Sequence, residues 1–280
     1  MPRHLLAQIS DVHLSTRGTL PPGAKPSDNL RAAVSRLAAA RLRPDVWVLT
    51  GDLADRGEPA CYDELAAVLN KAADGAAVVY MPGNHDARGP FRERLLGEPA
   101  GEGPINQVRW HGGLRLIALD STVPGEDHGR LDEETLTFLA DELASPAPDG
   151  TIVALHHPPI PSPIAPMARQ ALRDPRRFAS AIADTDVRLV ICGHNHHESL
   201  GTLGGVPVWV GPATVYRADV TSRDVFRPTF GNALSLVDLD DAGPVVSVVQ
   251  APSLPTEGPA PAGAACEAGR SAHKGPRRAR

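Results

Sequence analysis

Aromatic residues are scarce: Phe, Trp and Tyr together make up 4% of the 280 residues. A core built from this chain must be filled by Val, Leu, Ile and Ala. Cysteine is almost absent. Cys61, Cys192 and Cys266 are widely spaced and odd in number, which argues against a disulfide framework and for a reducing compartment, so a cytoplasmic location is expected. No apolar run approaches the roughly 18 residues needed to cross a bilayer, so stable membrane insertion is not expected. The N-terminus, Met1-Pro2-Arg3-His4, runs into an apolar stretch without a signal-peptide pattern. Positive charge is also short, with a net charge of −5. That disfavours a nucleic-acid partner, which calls for a basic face. What remains, 42% hydrophobic and 22% charged residues, is the composition of a soluble globular protein.

Strand and helix patterns alternate through most of the chain. Apolar runs predict strands over 4–10, 46–50, 76–81, 114–119, 151–155 and 187–192. Between them, helical spacing predicts a helix around Leu30, Val34, Leu37 and Ala38, capped by Ser27 or Asp28 and ended before Pro44. Others are expected over 59–73, 90–96 and 132–144, the last with Leu136, Leu139 and Leu143 inward. Asp174-Pro175 reads as a cap followed by proline at the first helical position, opening a helix to about Ala183. The proline-rich stretch up to Pro166 predicts no regular structure. After residue 200 the pattern becomes strands only, at 206–210, 234–239 and 245–249. From Pro252 onward Pro, Ala, Gly and Arg dominate and cannot bury enough apolar surface to order themselves. One domain over 1–251 and a solvated, partly basic tail over 252–280 are expected.

Chemistry gathers where the predicted strands end. Asp11 and His13, then Asp52, then Asn84 with His85, then His156, then His194 with His196 each follow an apolar run. Residues two apart on an extended strand point the same way, so Asp11 and His13 are expected to face one point. Ligands in α/β sheets collect at the carboxyl ends of strands. The set is oxygen and imidazole nitrogen without thiolate, which suits manganese, iron or zinc in a reactive site rather than a structural zinc. It holds too many ligands for one ion, and two ions sharing a carboxylate fit the count.

In order, the segments are Asp11-Val12-His13, Gly51-Asp52-Leu53-Ala54-Asp55, Gly83-Asn84-His85-Asp86, His156-His157-Pro158 and Gly193-His194-Asn195-His196. This succession resembles the signature of calcineurin-like metallophosphoesterases, over about residues 5–240. Residues 51–62, 120–125 and 155–162 further resemble the class III cyclic nucleotide phosphodiesterases, above all their mycobacterial member. The resemblance implies an α/β (α+β) fold, a four-layer α/β/β/α sandwich of two mixed sheets with the metals at one edge. It implies that Asp11, His13, Asp52 and His196 hold one ion and Asp52, Asn84, His156 and His194 the other, with Asp52 bridging. His85 would then be catalytic, assisting the leaving oxygen, and Asn84, His85 and His196 would meet the substrate. Asp55 or Asp86 would orient the histidines from behind. Iron and manganese are the expected ions, with zinc as the alternative, and a homodimer is implied.

The expected activity is hydrolysis of a small-molecule phosphodiester, 3′,5′-cyclic AMP to 5′-AMP. The alternatives are a broader phosphodiesterase acting on 2′,3′-cyclic nucleotides, glycerophosphodiesters or nucleotide-lipid pyrophosphates, and a metal-binding protein without turnover. His157 and His197 are read as flanking the ligands, and His111 and His128 as surface residues. Arg56 resembles the phosphate-contacting Arg of serine/threonine protein phosphatases. Those enzymes carry Glu where this chain has Asp86, so Arg56 is left outside the site.

Overall fold

The computed structural model describes residues 1–16, 21 and 24–251. The first half runs β1 (His4–Ile9), α1 (Pro26–Ala39), β2 (Val46–Thr50), α2 (Pro59–Ala73), β3 (Ala77–Met81) and α3 (Arg88–Phe91), which widens into a π-helical turn over Arg92–Leu96. Next come β4 (Gln107–His111), β5 (Leu114–Leu119), α4 (Glu133–Leu143), β6 (Thr151–Leu155), α5 (Ala165–Arg169), α6 (Pro175–Ile182) and β7 (Val187–Cys192). The described residues end with β8 (Ser199–Leu203), β9 (Val206–Val210), β10 (Arg217–Ala218), β11 (Pro228–Thr229), β12 (Asn232–Asp240) and β13 (Gly243–Ala251).

Two mixed sheets carry the fold. One has the order β13-β12-β1-β2-β3, the other β4-β5-β6-β7-β9-β8, and β10 and β11 pair as a small ribbon. β1, β2 and β3 are parallel, as are β5, β6, β7 and β9. The parallel strands are apolar on both faces because both are covered. In β2, Trp47 and Leu49 pack toward Leu30 of α1 and Leu65 of α2, while Val46 and Val48 join Leu116, Ile152 and Leu189 between the sheets. In β6, Val153 and Leu155 pack with Leu139 of α4 and Phe178 of α6, while Ile152 and Ala154 face the other sheet. Helices, sheet, sheet, helices: the expected four-layer sandwich is present. Among the described residues no helix is long and apolar enough to cross a membrane.

Some local expectations fail, each for a visible reason. Pro26, which has no N–H to leave unpaired, opens α1 itself; Ser27 lies inside the helix and its hydroxyl donates to Glu64 at 3.2 Å. Asp174 precedes α6 but sits at φ 51°, not in the extended backbone that a capping side chain needs, and makes no cap bond. Asp132 does cap α4, accepting from the Thr135 N–H at 2.8 Å. The proline-rich stretch contains α5, with Pro166 in its first turn, where proline is tolerated. β4 and β8 had no strand signature because they are sheet edges. Both are half-solvated and carry Arg109, His111, Gly201 and Thr202 where a buried strand carries apolar residues. Cys61 and Cys192 are buried free thiols. Cys266 and the expected tail, 252–280, lie outside the described residues.

Candidate active site

Five parallel strands deliver side chains to one edge of the sandwich: β1 leads to Asp11 and His13, β2 to Asp52, β3 to Asn84 and His85, β6 to His156, and β7 to His194 and His196. A sixth strand end does not contribute. Asp120, after β5, turns away to Arg88 (2.9 Å) and the Ile105 N–H (3.0 Å).

Asp11, His13, Asp52, His194 and His196 all adopt left-handed backbone, with φ of 52°, 49°, 52°, 70° and 54°. A non-glycine residue held there costs roughly 1–3 kcal/mol, and such strain concentrates at functional sites. It also corrects the expectation for the first motif. Asp11 and His13 do converge, but the chain has already left the extended conformation, so strand alternation is not the cause. Glycines make the room. A Cβ on Gly51, itself at φ 88°, would run into the His156 ring, and one on Gly83 would strike the Asp52 carboxylate.

The side chains converge as two groups of acceptors. His13 Nε2 lies 3.3 Å from His196 Nε2 and 3.5 Å from Asp52 Oδ2, and His196 Nε2 lies 3.4 Å from Asp11 Oδ1. In the second group, His156 Nε2 lies 3.2 Å from Asn84 Oδ1, 3.3 Å from Asp52 Oδ2 and 3.3 Å from His194 Nδ1. The imidazoles are committed as acceptors. His196 Nδ1 donates to the Tyr216 carbonyl at 2.9 Å and His156 Nδ1 to the Thr50 carbonyl at 2.7 Å. His13 Nδ1 faces Asp55 Oδ1 at 3.3 Å. Each of these three rings therefore turns a bare Nε2 lone pair toward carboxylate or amide oxygens. Acceptors facing acceptors call for a positive charge between them, a proton or a metal ion. Ligand atoms held roughly 2.1 Å from a first-row ion stand roughly 3.0–3.5 Å apart, the spacing found here. The donor set therefore fits two metal ions, with Asp52 Oδ2 common to both groups.

The two groups draw in positive charge: burial opposes a charge on His156, yet the neighbouring Asp52 carboxylate pushes its imidazole up to about 9, and the Asp55 and Asp52 carboxylates raise His13 against its own burial. Asp52 resists its own burial and is held well below the usual carboxylate range, mainly by His156. Burial and the adjoining His156 press His194 down to about 3, and burial and His13 do the same to His196. These two rings keep their lone pairs open at neutral pH.

The surrounding residues divide differently from expectation. Asp55 reaches His13, and its backbone carbonyl accepts from His85 Nδ1 at 2.9 Å. Asp86 contacts no histidine. Its Oδ2 accepts from the N–H groups of Leu53 (3.1 Å) and Gly83 (2.9 Å), and its Oδ1 from the Ala54 N–H (2.9 Å) and the Tyr62 hydroxyl (3.0 Å). It clamps the Asp52 loop to the Asn84 loop. Burial and the nearby Asp52 push it up to about 6, while its N–H partners pull the other way. Asp86→Asn is expected to lower unfolding stability by about 2–3 kcal/mol, because either amide orientation points an NH2 at a backbone N–H. Urea unfolding checks this, and an unchanged midpoint would remove the clamp from consideration.

His157 lies nearer the centre than a flanking residue, with its ring 4.7 Å from that of His194 and its Nδ1 2.9 Å from Ser121 Oγ. His197 is fixed between Ser162 (2.9 Å) and Ser199 (3.1 Å). Arg56 is exposed, 3.7 Å from Asp55. His111 is exposed and His128 half-buried.

Above the two groups opens a cleft of about 370 Å³, within the roughly 300–1,000 Å³ range of small-molecule sites. Asp52, His13, Asn84, His85, His194 and His196 line it together with Asp127, Pro166, Met167, Gln170, Tyr216 and Phe226. The last six were missed from sequence. Tyr216 stacks on His196, ring centroids 4.5 Å apart at 28°, so its ring covers the imidazole that its carbonyl orients. Two aromatics in a loop of an aromatic-poor chain were the only available signal.

The family model described as calcineurin-like phosphoesterase matches residues 4–198. A Rhodococcus erythropolis protein named probable cyclic nucleotide phosphodiesterase is 42% identical over 221 residues, 78% of this chain and 73% of that protein. A cAMP/cGMP dual specificity phosphodiesterase of Mycobacterium tuberculosis is 44% identical over 223 residues, 79% of this chain and 70% of that one. Among solved structures, a dimetal phosphatase from Danio rerio has the same fold, with a TM-score of 0.64 at 15% identity over 89% of this chain and 99% of that one.

Proposed function

The chain belongs to the calcineurin-like phosphoesterase family, and we propose that within it the protein hydrolyses cyclic nucleotides, 3′,5′-cyclic AMP to 5′-AMP above all. One observation carries this: two cation-seeking groups share Asp52 Oδ2 at the floor of a cleft sized for a nucleotide. Two relatives, 42% and 44% identical, that bear cyclic nucleotide phosphodiesterase names support the substrate class.

Asp11, His13, Asp52 and His196 would hold one ion, and Asp52, Asn84, His156 and His194 the other. Iron and manganese, with zinc as the alternative, would neutralise the phosphate oxygens and acidify the attacking water. The chain's own side chains supply the rest. Asn84, His85 and His196 line the cleft where the phosphate would lie. The attacking water gives up a proton to solvent as its oxygen bonds to phosphorus, the bond from phosphorus to O3′ breaks, and O3′ takes a proton. His85 would give it. Its Nδ1 is tied to the Asp55 carbonyl and its backbone N–H to Asp52 Oδ1 (3.0 Å), which leaves Nε2 to hold and deliver the proton. A cytoplasmic homodimer accompanies this proposal, with gel filtration as its measurement.

The test is chromatography of products from 3′,5′-cyclic AMP incubated with manganese-loaded protein, beside the 2′,3′-cyclic isomer and a linear diester. Release of 5′-AMP is expected. Turnover of the linear diester with neither cyclic nucleotide consumed would overturn the cyclic-nucleotide assignment and leave a broader phosphodiesterase.

A further inference from the structure

At the rim of the cleft an amide and a carboxylate stand side by side. Gln170 Nε2 donates to Asp127 Oδ2 at 3.2 Å. A carboxylate only accepts, so it is the amide nitrogen that faces it. The pair thus offers a donor, the second N–H of Gln170, next to an acceptor, the remaining lone pairs of Asp127. Their backbones are stitched together: Gly129 and Leu172 form a β-bridge, and the Arg173 N–H donates to the Gly129 carbonyl at 2.8 Å. Met167 and Phe226, packed in one apolar cluster, line the same cleft.

We propose that Gln170 and Asp127 read the polar edge of the substrate's base while Met167 and Phe226 cover its face, which makes them specificity-determining residues. This rests on the cyclic-nucleotide function proposed above. Adenine presents an acceptor, N1, next to a donor, the 6-amino group, and so complements the pair. Hypoxanthine has the same ring shape with the order reversed, an N1–H next to a 6-oxo group. It sets donor against donor and oxygen against carboxylate; the pair's hydrogen bond lies exposed at the rim, and a base seated on it would cover these groups and leave them unmatched. Among the described residues the cleft lining contains no Lys or Arg, so a second phosphate at this end would meet Asp127 with no described cation to offset it. That favours a base over a phosphorylated headgroup as the occupant.

The test compares kcat/KM for 3′,5′-cyclic AMP and 3′,5′-cyclic inosine monophosphate in the metal-loaded protein and in its Asp127→Asn and Gln170→Leu variants. Wild-type protein should prefer the adenine compound roughly 10-fold. Asp127→Asn should bring the ratio close to one, since its amide can donate to the 6-oxo group. Gln170→Leu should reduce the ratio by loosening Asp127 and removing the N–H offered to N1. A merely structural role for either residue would change both substrates alike. Both nucleotides turned over at a ratio near one in wild type, or a preference unchanged in Asp127→Asn, overturns the base-reading role and leaves the proposed function standing. Turnover of neither nucleotide overturns both.

Discussion

Asp52→Ala is expected to release both metal ions together and to lower phosphodiester turnover on the order of 10³-fold. Every other ligand candidate belongs to one group of acceptors. Asp52 Oδ2 belongs to both, 3.5 Å from His13 Nε2 and 3.3 Å from His156 Nε2. Removing it also removes the negative charge that offsets a cation in each group, and Asp11 is then the only carboxylate left among the proposed ligands. The comparison is with Asp11→Ala, which should empty the His13 and His196 group and spare the other. Elemental analysis after dialysis against a weak chelator reads both results as ions per chain. Two tightly held ions in Asp52→Ala would end the bridging role. The substitution also deprives the His85 N–H of its acceptor at 3.0 Å, so Asp52→Asn, which retains an oxygen there, serves as the matched variant. It should hold metal weakly and still fold.

Much of this centre was legible in the chain because each ligand sits immediately beyond an apolar run, and apolar runs reveal buried parallel strands directly. Parallel strands also share a direction, so their carboxyl ends must collect on one side. Ligand counting called for two ions sharing a carboxylate, and the family resemblance named Asp52 as that carboxylate. The reasons behind the convergence were less visible. Asp11 and His13 meet through left-handed backbone, and no periodicity encodes a single positive φ at a non-glycine residue. Asp86, like Asp55, was expected to orient the histidines from behind. In space it answers the local Gly83 N–H and, across 24 to 33 residues of sequence, the N–H groups of Leu53 and Ala54 and the Tyr62 hydroxyl, a role set by loop packing. The walls of the cleft were the hardest part. Met167, Gln170, Tyr216 and Phe226 come from α5 and from loops whose neighbours are fixed only when the second sheet is complete. A proline-rich stretch and a strand-only region gave no period to follow. The edge strands of the second sheet, β4 and β8, were lost for a related reason: neither has a fully buried residue, so neither needs an apolar run.

His85→Ala is expected to keep both ions and to lose roughly 10²–10⁴-fold in rate on substrates whose leaving oxygen is a poor alkoxide. His85 lines the cleft beside Asp52 and Asn84 but takes no part in either group of facing acceptors. Its Nδ1 is spent on the Asp55 carbonyl at 2.9 Å, and its side chain remains 39% exposed, so a proton can be replenished from water. A sugar O3′ leaves with difficulty unless protonated as its bond to phosphorus breaks. A p-nitrophenolate leaves without that help. The deficit of His85→Ala should therefore shrink on bis-p-nitrophenyl phosphate, while metal content, read by elemental analysis, stays at wild-type level. His85→Gln separates two ways of contributing. Its amide can still hydrogen-bond a phosphate oxygen but cannot deliver a proton, so it should recover binding, seen in KM, and not kcat on cyclic AMP. An equal loss on both substrates, or recovery of kcat by glutamine, would make His85 a phosphate-positioning residue, and the proton for O3′ would have to come from solvent.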